Sequence, residues 1–198
     1  MKINLSEIIT TRQDVLNARI KELENIKNNL KISEPIKFSI SEISNNISSG
    51  KKSEKVGLNQ LDFLENIKQP VIYIYEICNP RIKPDLLKKI ETYRSLYSRN
   101  SANSINHKRS ISKIPNSVEN NNSNILYVGS KKKGIYLRTK QHLGLGHHDT
   151  FSLQLKHWAD SNWEFNFYYI EVTNEDILID IEAAITKSLN PLLGKREN

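Results

Sequence analysis

A single cysteine, Cys78, stands among the 198 residues, so no intramolecular disulfide can staple the chain. One isolated thiol fits a reducing compartment, and the expected location is the cytoplasm. Long apolar runs are missing as well. Nothing approaches the roughly 20 residues that cross a bilayer. The amino terminus carries Lys2, Glu7 and Arg12 where a signal peptide needs an apolar core. A soluble protein with no membrane partner is therefore expected. The sequence has no glycine-rich phosphate loop, no serine or cysteine nucleophile motif and no internal repeat. His142, His147, His148 and His157 lack a cysteine partner and do not have zinc-finger spacing. Hydrophobic residues make up only 37%, so part of the length is expected as loop or extended helix around one sizeable core.

Acidic residues are scarce where basic ones gather. The net charge is +7 and the isoelectric point is near 9.3. Residues 81–115 hold nine Lys or Arg against only Asp85 and Glu91, and residues 131–142 hold five more cations and no acid. The remainder of the chain is thus net negative. Concentrated positive charge favours a polyanionic partner, although a solvated, solubilising face gives the same count.

Residues 5–30 read as one long helix, with Ile9, Leu16, Leu23 and Leu30 at seven-residue spacing and Ile20 and Ile26 joining the stripe. Arg12, Arg19 and Lys27 interrupt a second apolar seam, so the helix is expected to lie across the core, with a homodimer as the alternative. Pro35 closes that region. Residues 36–47 are ambiguous, with a capping-box spacing at Ser39 and Glu42. Two short helices around a polar hinge at 48–55 would also suit a helix-turn-helix reader of DNA.

Pro70 introduces the strand VIYIYEI (71–77), which places Tyr73 and Tyr75 on one face and Ile72, Ile74 and Glu76 on the other. A helix from Pro84 to about Tyr97 would bury Leu86, Leu87, Ile90 and Tyr93. Residues 98–124, rich in Ser and Asn, read as loop. A helix capped by Asp149 or Thr150 is expected to carry Phe151, Leu153, Leu155 and Trp158. WEFNFYYIEV (163–172) is the strongest strand signal. The last helix is expected to begin with the Thr173-x-x-Asp176 spacing and run to about Leu189, stopped by Pro191 and Gly194, with Glu182 on the flank of its buried stripe.

Residues 124–144 (NILYVGSKKKGIYLRTKQHLG) tie these parts together. Ile125, Leu126, Tyr127 and Val128 read as a short strand broken by Gly129 and Ser130, followed by a helix at about 135–142. Arg138 and His142, four apart, share one face of that helix. Such a strand–turn–helix unit can hold a phosphate among its donors. The stretch resembles the second half-motif and first helix of the GIY-YIG nuclease superfamily. The YIG element is Tyr127, Val128 and Gly129, and the family's Arg and the His one turn later are Arg138 and His142. Val71, Ile72 and Tyr73 stand for the GIY strand, and Glu182 followed by Pro191 stands for the carboxyl-terminal element. The resemblance spans roughly residues 70–195. It departs from the family pattern at Val71 in place of Gly and at Gly194 in the usual Asn slot. The literal tripeptide Gly134-Ile135-Tyr136 lies on the wrong side of the YIG element.

The resemblance implies a Mg²⁺- or Mn²⁺-dependent endonuclease acting on DNA, most simply double-stranded, with a lean towards restriction or defence. It makes Glu182 the metal ligand and Arg138 the residue that holds the scissile phosphate. It puts Tyr73 and Tyr127 at the site and gives Tyr73 and His142 joint charge of proton transfer. His142 is chemically the easier base near neutrality, since a free tyrosine titrates near ~10. Lys131, Lys132, Lys133, Lys140, Arg94, Lys108 and Arg109 are the expected nucleic-acid contacts. The expected fold is α/β (α+β), a small, mostly antiparallel three-stranded sheet flanked by helices. A helical segment at 1–69 would precede a nuclease domain at 70–198 with a basic insertion at about 80–124. A catalytically inactive nucleic-acid-binding module on the same fold is the alternative, and a helix-mediated interaction protein is a third reading.

Overall fold

A strand that alternates β-branched residues with tyrosines can be buried on both sides, and Val71–Ile77 (β2) is. The computed structural model describes residues 5–27, 30–43, 58–96, 122–145 and 151–194. Val71, Tyr73, Tyr75 and Ile77 face one hydrophobic cluster, and Ile72 and Ile74 face another. β2 pairs antiparallel with Ile125–Lys131 (β3) on one side and with Glu164–Glu171 (β4) on the other. Ile36–Ser39 (β1) continues the sheet beyond β4, giving the order β1-β4-β2-β3.

The described residues therefore form a mixed α/β structure with four antiparallel strands, one more than expected. The added strand comes from the ambiguous segment after Pro35. Phe38 packs edge-on to Tyr75 and beside Phe165, and this burial settles the conformation of a four-residue segment. The Ser39–Glu42 signal caps a single 3₁₀ turn behind that strand. The Glu42 carboxylate takes the Ser39 backbone N–H at 2.5 Å and the Ser39 hydroxyl at 2.8 Å, which holds its pKa below the usual range.

Three further expectations change. Gly129 and Ser130 do not break β3, which runs on to Lys131. Gly129 pairs with Tyr73, and a Cβ there would sit 2.6 Å from Tyr73 Oη and 2.7 Å from Tyr127 Cε1. This glycine marks a close approach of two rings, not a turn. The helix expected from Phe151 to Trp158 is replaced by extended chain and one 3₁₀ turn at Leu155–His157. Residues 152–155 are all buried, Ser152 and Gln154 with the two leucines, so no helix face forms, while Phe151 is 60% exposed and Gln154 takes a left-handed conformation. Residues 59–66 form a 3₁₀ segment that buries Leu61 and Leu64.

The helices cover both faces. Lys83–Leu96 (α2) contributes Leu86, Ile90 and Tyr93, and Ile135–Leu143 (α3) contributes Ile135 and Leu143, to the cluster that holds Tyr73. Phe38, Ile40, Leu58 and Leu61 join that same cluster, so the core extends across Pro70. On the other face Leu178–Leu189 (α4) buries Leu178 and Ile181. Its lead-in turn is capped by Asn174, whose side chain accepts from Asp176 N–H. The long helix Leu5–Lys27 (α1) is held to α4 through Arg19, which is bonded to the Asp180 carboxylate and the Asp176 carbonyl, and through half-buried Leu23. Farther out, Ile9, Leu16 and Ile20 are exposed, so only the carboxyl-terminal part of α1 meets the core. No helix among the described residues is long and apolar enough to cross a membrane. The 48–55 hinge of the helix-turn-helix reading, and residues 97–121 of the basic insertion, lie outside the described residues.

Gly129→Ala would push Tyr73 off its position. We expect a loss of about 1–3 kcal/mol in urea melts, the usual cost of overpacking. The loss should shrink when Tyr73→Phe removes the nearest atom, and equal losses in both backgrounds would contradict this account.

Candidate active site

β2 fixes Tyr73, and α3 crosses above it with Arg138 and His142 one turn apart on the facing side. Glycines end α3 cleanly. Gly134 precedes it at φ 75° and Gly144 closes it at φ 93°, values that favour glycine. The chain then returns along α3, where the Ser152 hydroxyl donates to the Gln141 carbonyl at 2.8 Å and Leu153 N–H donates to His142 Nδ1 at 3.1 Å.

That last bond determines the imidazole. A backbone N–H can only donate, so His142 Nδ1 is an acceptor, and the neutral ring carries its proton on Nε2. Nε2 lies 3.0 Å from Tyr73 Oη and therefore donates to it. Arg138 Nε donates to the same oxygen at 3.1 Å, and Arg138 Nη1 donates to Gln141 Oε1 at 3.1 Å. Two N–H groups thus converge on one phenolic oxygen, leaving its own proton to be directed elsewhere. Tyr73, Tyr75 and Tyr127 surround the ring of His142, with centroids 5.3, 5.4 and 5.0 Å away.

Burial sets the protonation states. His142 has no exposed surface; desolvation first, and the Arg138 charge second, push its pKa well below 6.5. The expectation that His142 titrates near neutrality and is the easier base is corrected: both nitrogens are engaged and the ring is fully buried. Desolvation and then Tyr127 raise the Tyr73 pKa, outweighing the Arg138 charge and hydrogen bond that pull it down. Burial works against the Arg138 charge, yet Tyr73 and Tyr127 together raise its pKa, so it stays a cation.

Glu182 reaches this end of the sheet from α4, on the face opposite Tyr73: its partner Ser130 pairs with Ile72, which packs in the cluster under α4, while Gly129 pairs with Tyr73. Glu182 is half-buried, accepts a hydrogen bond from the Ser130 hydroxyl and lies close enough for its charge to act on Tyr73. No group of three or more His, Cys, Asp or Glu gathers among the described residues. Mg²⁺ commonly takes only one or two protein carboxylates, with water and phosphate oxygens completing its shell, so a lone Glu182 fits that donor set. The zinc reading gains nothing. His142 has no nitrogen to spare, His157 Nε2 is bonded to the Gly144 carbonyl at 2.9 Å, and His147 and His148 lie outside the described residues.

The expected nucleic-acid contacts divide. Lys131 and Lys133 are exposed beside the site, Lys132 leans on Glu175 at 3.8 Å, and Lys140 lies 5.6 Å over the Tyr136 ring. Arg94 sits half-buried in the last turn of α2, away from these lysines in the sequence and on another element. Lys108 and Arg109 lie outside the described residues. Gly194, the slot where the resemblance calls for Asn, does stand beside Tyr127, with its Cβ direction 3.7 Å from Tyr127 Cε2. Three contributors were missed in the sequence. Ser130 was hidden by its reading as a strand break. Gln141 was signalled only by its place three residues after Arg138. Tyr75 shares the face of Tyr73 but was not separated from ordinary packing.

Neither a protein-family model, nor a curated protein, nor a solved structure matches this chain.

The buried neutral His142 makes stability fall with acid. Below pH 6.5 the unfolded chain binds a proton that the folded one refuses, so unfolding becomes easier as pH drops. The slope contributed is up to about 1.4 kcal/mol per pH unit. Urea melts from pH 7.5 to 5 should show this slope in the wild type and a flatter one in His142→Gln. Equal slopes would contradict the burial of a neutral imidazole.

Proposed function

We propose that the chain is a divalent-metal-dependent endonuclease of GIY-YIG type that hydrolyses phosphodiester bonds in DNA. The observation that carries this reading is the convergence of Arg138 Nε and His142 Nε2 on Tyr73 Oη, with Tyr127 and Glu182 at the same end of the sheet. Packing alone explains a buried tyrosine. It does not explain two N–H donors on one phenolic oxygen, at a sheet end that also carries a half-buried carboxylate and a run of exposed lysines.

In this reading the scissile phosphate is held by the Arg138 N–H groups that Tyr73, Tyr127 and Gln141 do not occupy. Tyr73 takes the proton of the attacking water only as phenolate, after its own proton has passed to solvent; burial disfavours that form and the two N–H donors favour it, so its share grows with pH. His142 never meets the substrate and is a positioning residue: it holds Tyr73 and is itself held by the Leu153 backbone. Glu182, steadied by Ser130, would hold the divalent ion, which when bound supplies positive charge to the phosphate and the leaving oxygen. Lys131 and Lys133 draw in the DNA backbone.

Gly194 supplies no side chain beside Tyr127, and this favours one rival, a binding module that has lost turnover. Plasmid cleavage in Mg²⁺ or Mn²⁺ separates the two. We expect wild-type cutting that a chelator abolishes, with Glu182→Ala and Arg138→Ala each slower by about 10²-fold or more. Because the Tyr73 pKa is raised and the His142 pKa is lowered, the rate should climb with pH through neutrality with no inflection near 6.5. Salt-sensitive DNA binding without cutting would select the binding module. Cutting that survives both substitutions would sink the proposed site.

A further inference from the structure

Tyr73 has a direct cross-strand partner on β4, Tyr169, and Val71, two residues back, faces Glu171. Residues directly opposite on adjacent strands have side chains rooted about 5 Å apart. The face and the sheet end that carry Tyr73 therefore continue sideways onto β4, towards a cavity. That cavity measures about 300 Å³, is open to solvent on one side, and is lined by Lys31, Ile32, Ser33, Tyr169 and Glu171. Its size is at the lower end of the range for small-ligand sites, about 300–1,000 Å³.

The walls are built. Ser33 N–H donates to the Tyr169 carbonyl at 2.9 Å, and Tyr169 N–H donates to Ser33 Oγ at 3.1 Å, so the strap at 31–33 is tied to β4. Phe63 packs its ring 5.6 Å from that of Tyr169 yet stays 37% exposed, and Ile32 is 56% exposed. Among the described residues Lys31 and Glu171 form no ion pair with each other, although both line the cavity. A tyrosine, an exposed carboxylate and an exposed ammonium lining one cavity make a recognition set for a planar heterocycle with both donors and acceptors. Phosphate alone would not suit it, because Glu171 repels phosphate.

We infer that this cavity receives one unpaired nucleobase of the strand whose phosphate lies at Tyr73 and Arg138, and that Glu171 favours bases bearing an amino group. The inference rests on the nucleic-acid reading above and narrows it. Neighbouring strands are about 4.8 Å apart, so the cavity on β4 is one strand over from Tyr73 and two from the Ser130–Glu182 pair on the β3 side. A base can reach it only when it has left its stack, as enzymes that handle single-stranded or flipped nucleotides require. Stacking on Tyr169 supplies affinity for any base. The Glu171 carboxylate accepts from an amino group such as N4 of cytosine, which thymine lacks.

The test is binding in chelator, by fluorescence anisotropy, to oligo(dC), oligo(dT) and an abasic strand of equal length and charge. Wild type should bind oligo(dC) about tenfold more tightly than the abasic strand and several-fold more tightly than oligo(dT). Tyr169→Ala should cost oligo(dC) about tenfold and leave the abasic strand unchanged. Glu171→Ala gives a test of sign at an exposed position that does not threaten folding. A carboxylate that only repels phosphate yields tighter binding to every strand when removed, whereas a base-reading carboxylate yields weaker binding to oligo(dC) alone. Uniform tightening, or equal wild-type affinity for all three strands, would overturn the base pocket and leave the nuclease reading standing. Failure to bind any strand, or duplex DNA, would overturn both.

Discussion

The backbone N–H of Leu153 meets Nδ1 of His142, and this one bond orders much of the molecule's chemistry. It fixes the tautomer, the tautomer directs Nε2–H at Tyr73, and Tyr73 in turn receives Arg138. Each group is buried or nearly so, and a buried polar group left without its partner costs about 1–3 kcal/mol. The chain of bonds is therefore stable only when complete. Gly129 makes room for the tyrosine at its centre, and the non-helical backbone at 151–154 delivers the Leu153 amide.

Around that chain the sheet works as a jig. β2, buried on both faces, separates a cluster rich in rings from one of aliphatic side chains. The outer edge of β3 is covered by Leu192 and Leu193, whose N–H groups donate to Ile125 and Leu126 carbonyls at 2.9 Å each. These two bonds pair the start of that edge. They also bring Gly194 back to Tyr127 and α4 back to Ser130, so one packing arrangement serves both stability and the candidate site.

Charge is distributed to match the proposed chemistry. Exposed Lys131 and Lys133 lie where a phosphate backbone would approach, while Asp180 and Glu175 are occupied by Arg19 and Lys132. Such exposed pairs add little to stability, typically about 0–1 kcal/mol. Their effect is to keep the carboxylates of α4 and its lead-in turn from opposing a polyanion near Glu182.

The alternation of VIYIYEI and WEFNFYYIEV determined β2 and β4, because β-branched and aromatic residues at period two can bury a face only as strands. The four-residue spacing of Arg138 and His142 likewise determined that they share a side of α3. Local pattern failed where distant groups supplied the energy. IKFS became a strand because Phe165 and Tyr75 offered burial to Phe38, and residues 151–153 stayed out of a helix because α3 claimed the Ser152 hydroxyl and the Leu153 amide. What only the tertiary structure decided is the state of His142. Its residue type allows a base near neutrality, but full burial beside Arg138 makes it a neutral donor to Tyr73. A side chain's type is written in the sequence, whereas its solvation and partners come from segments that meet only in the fold.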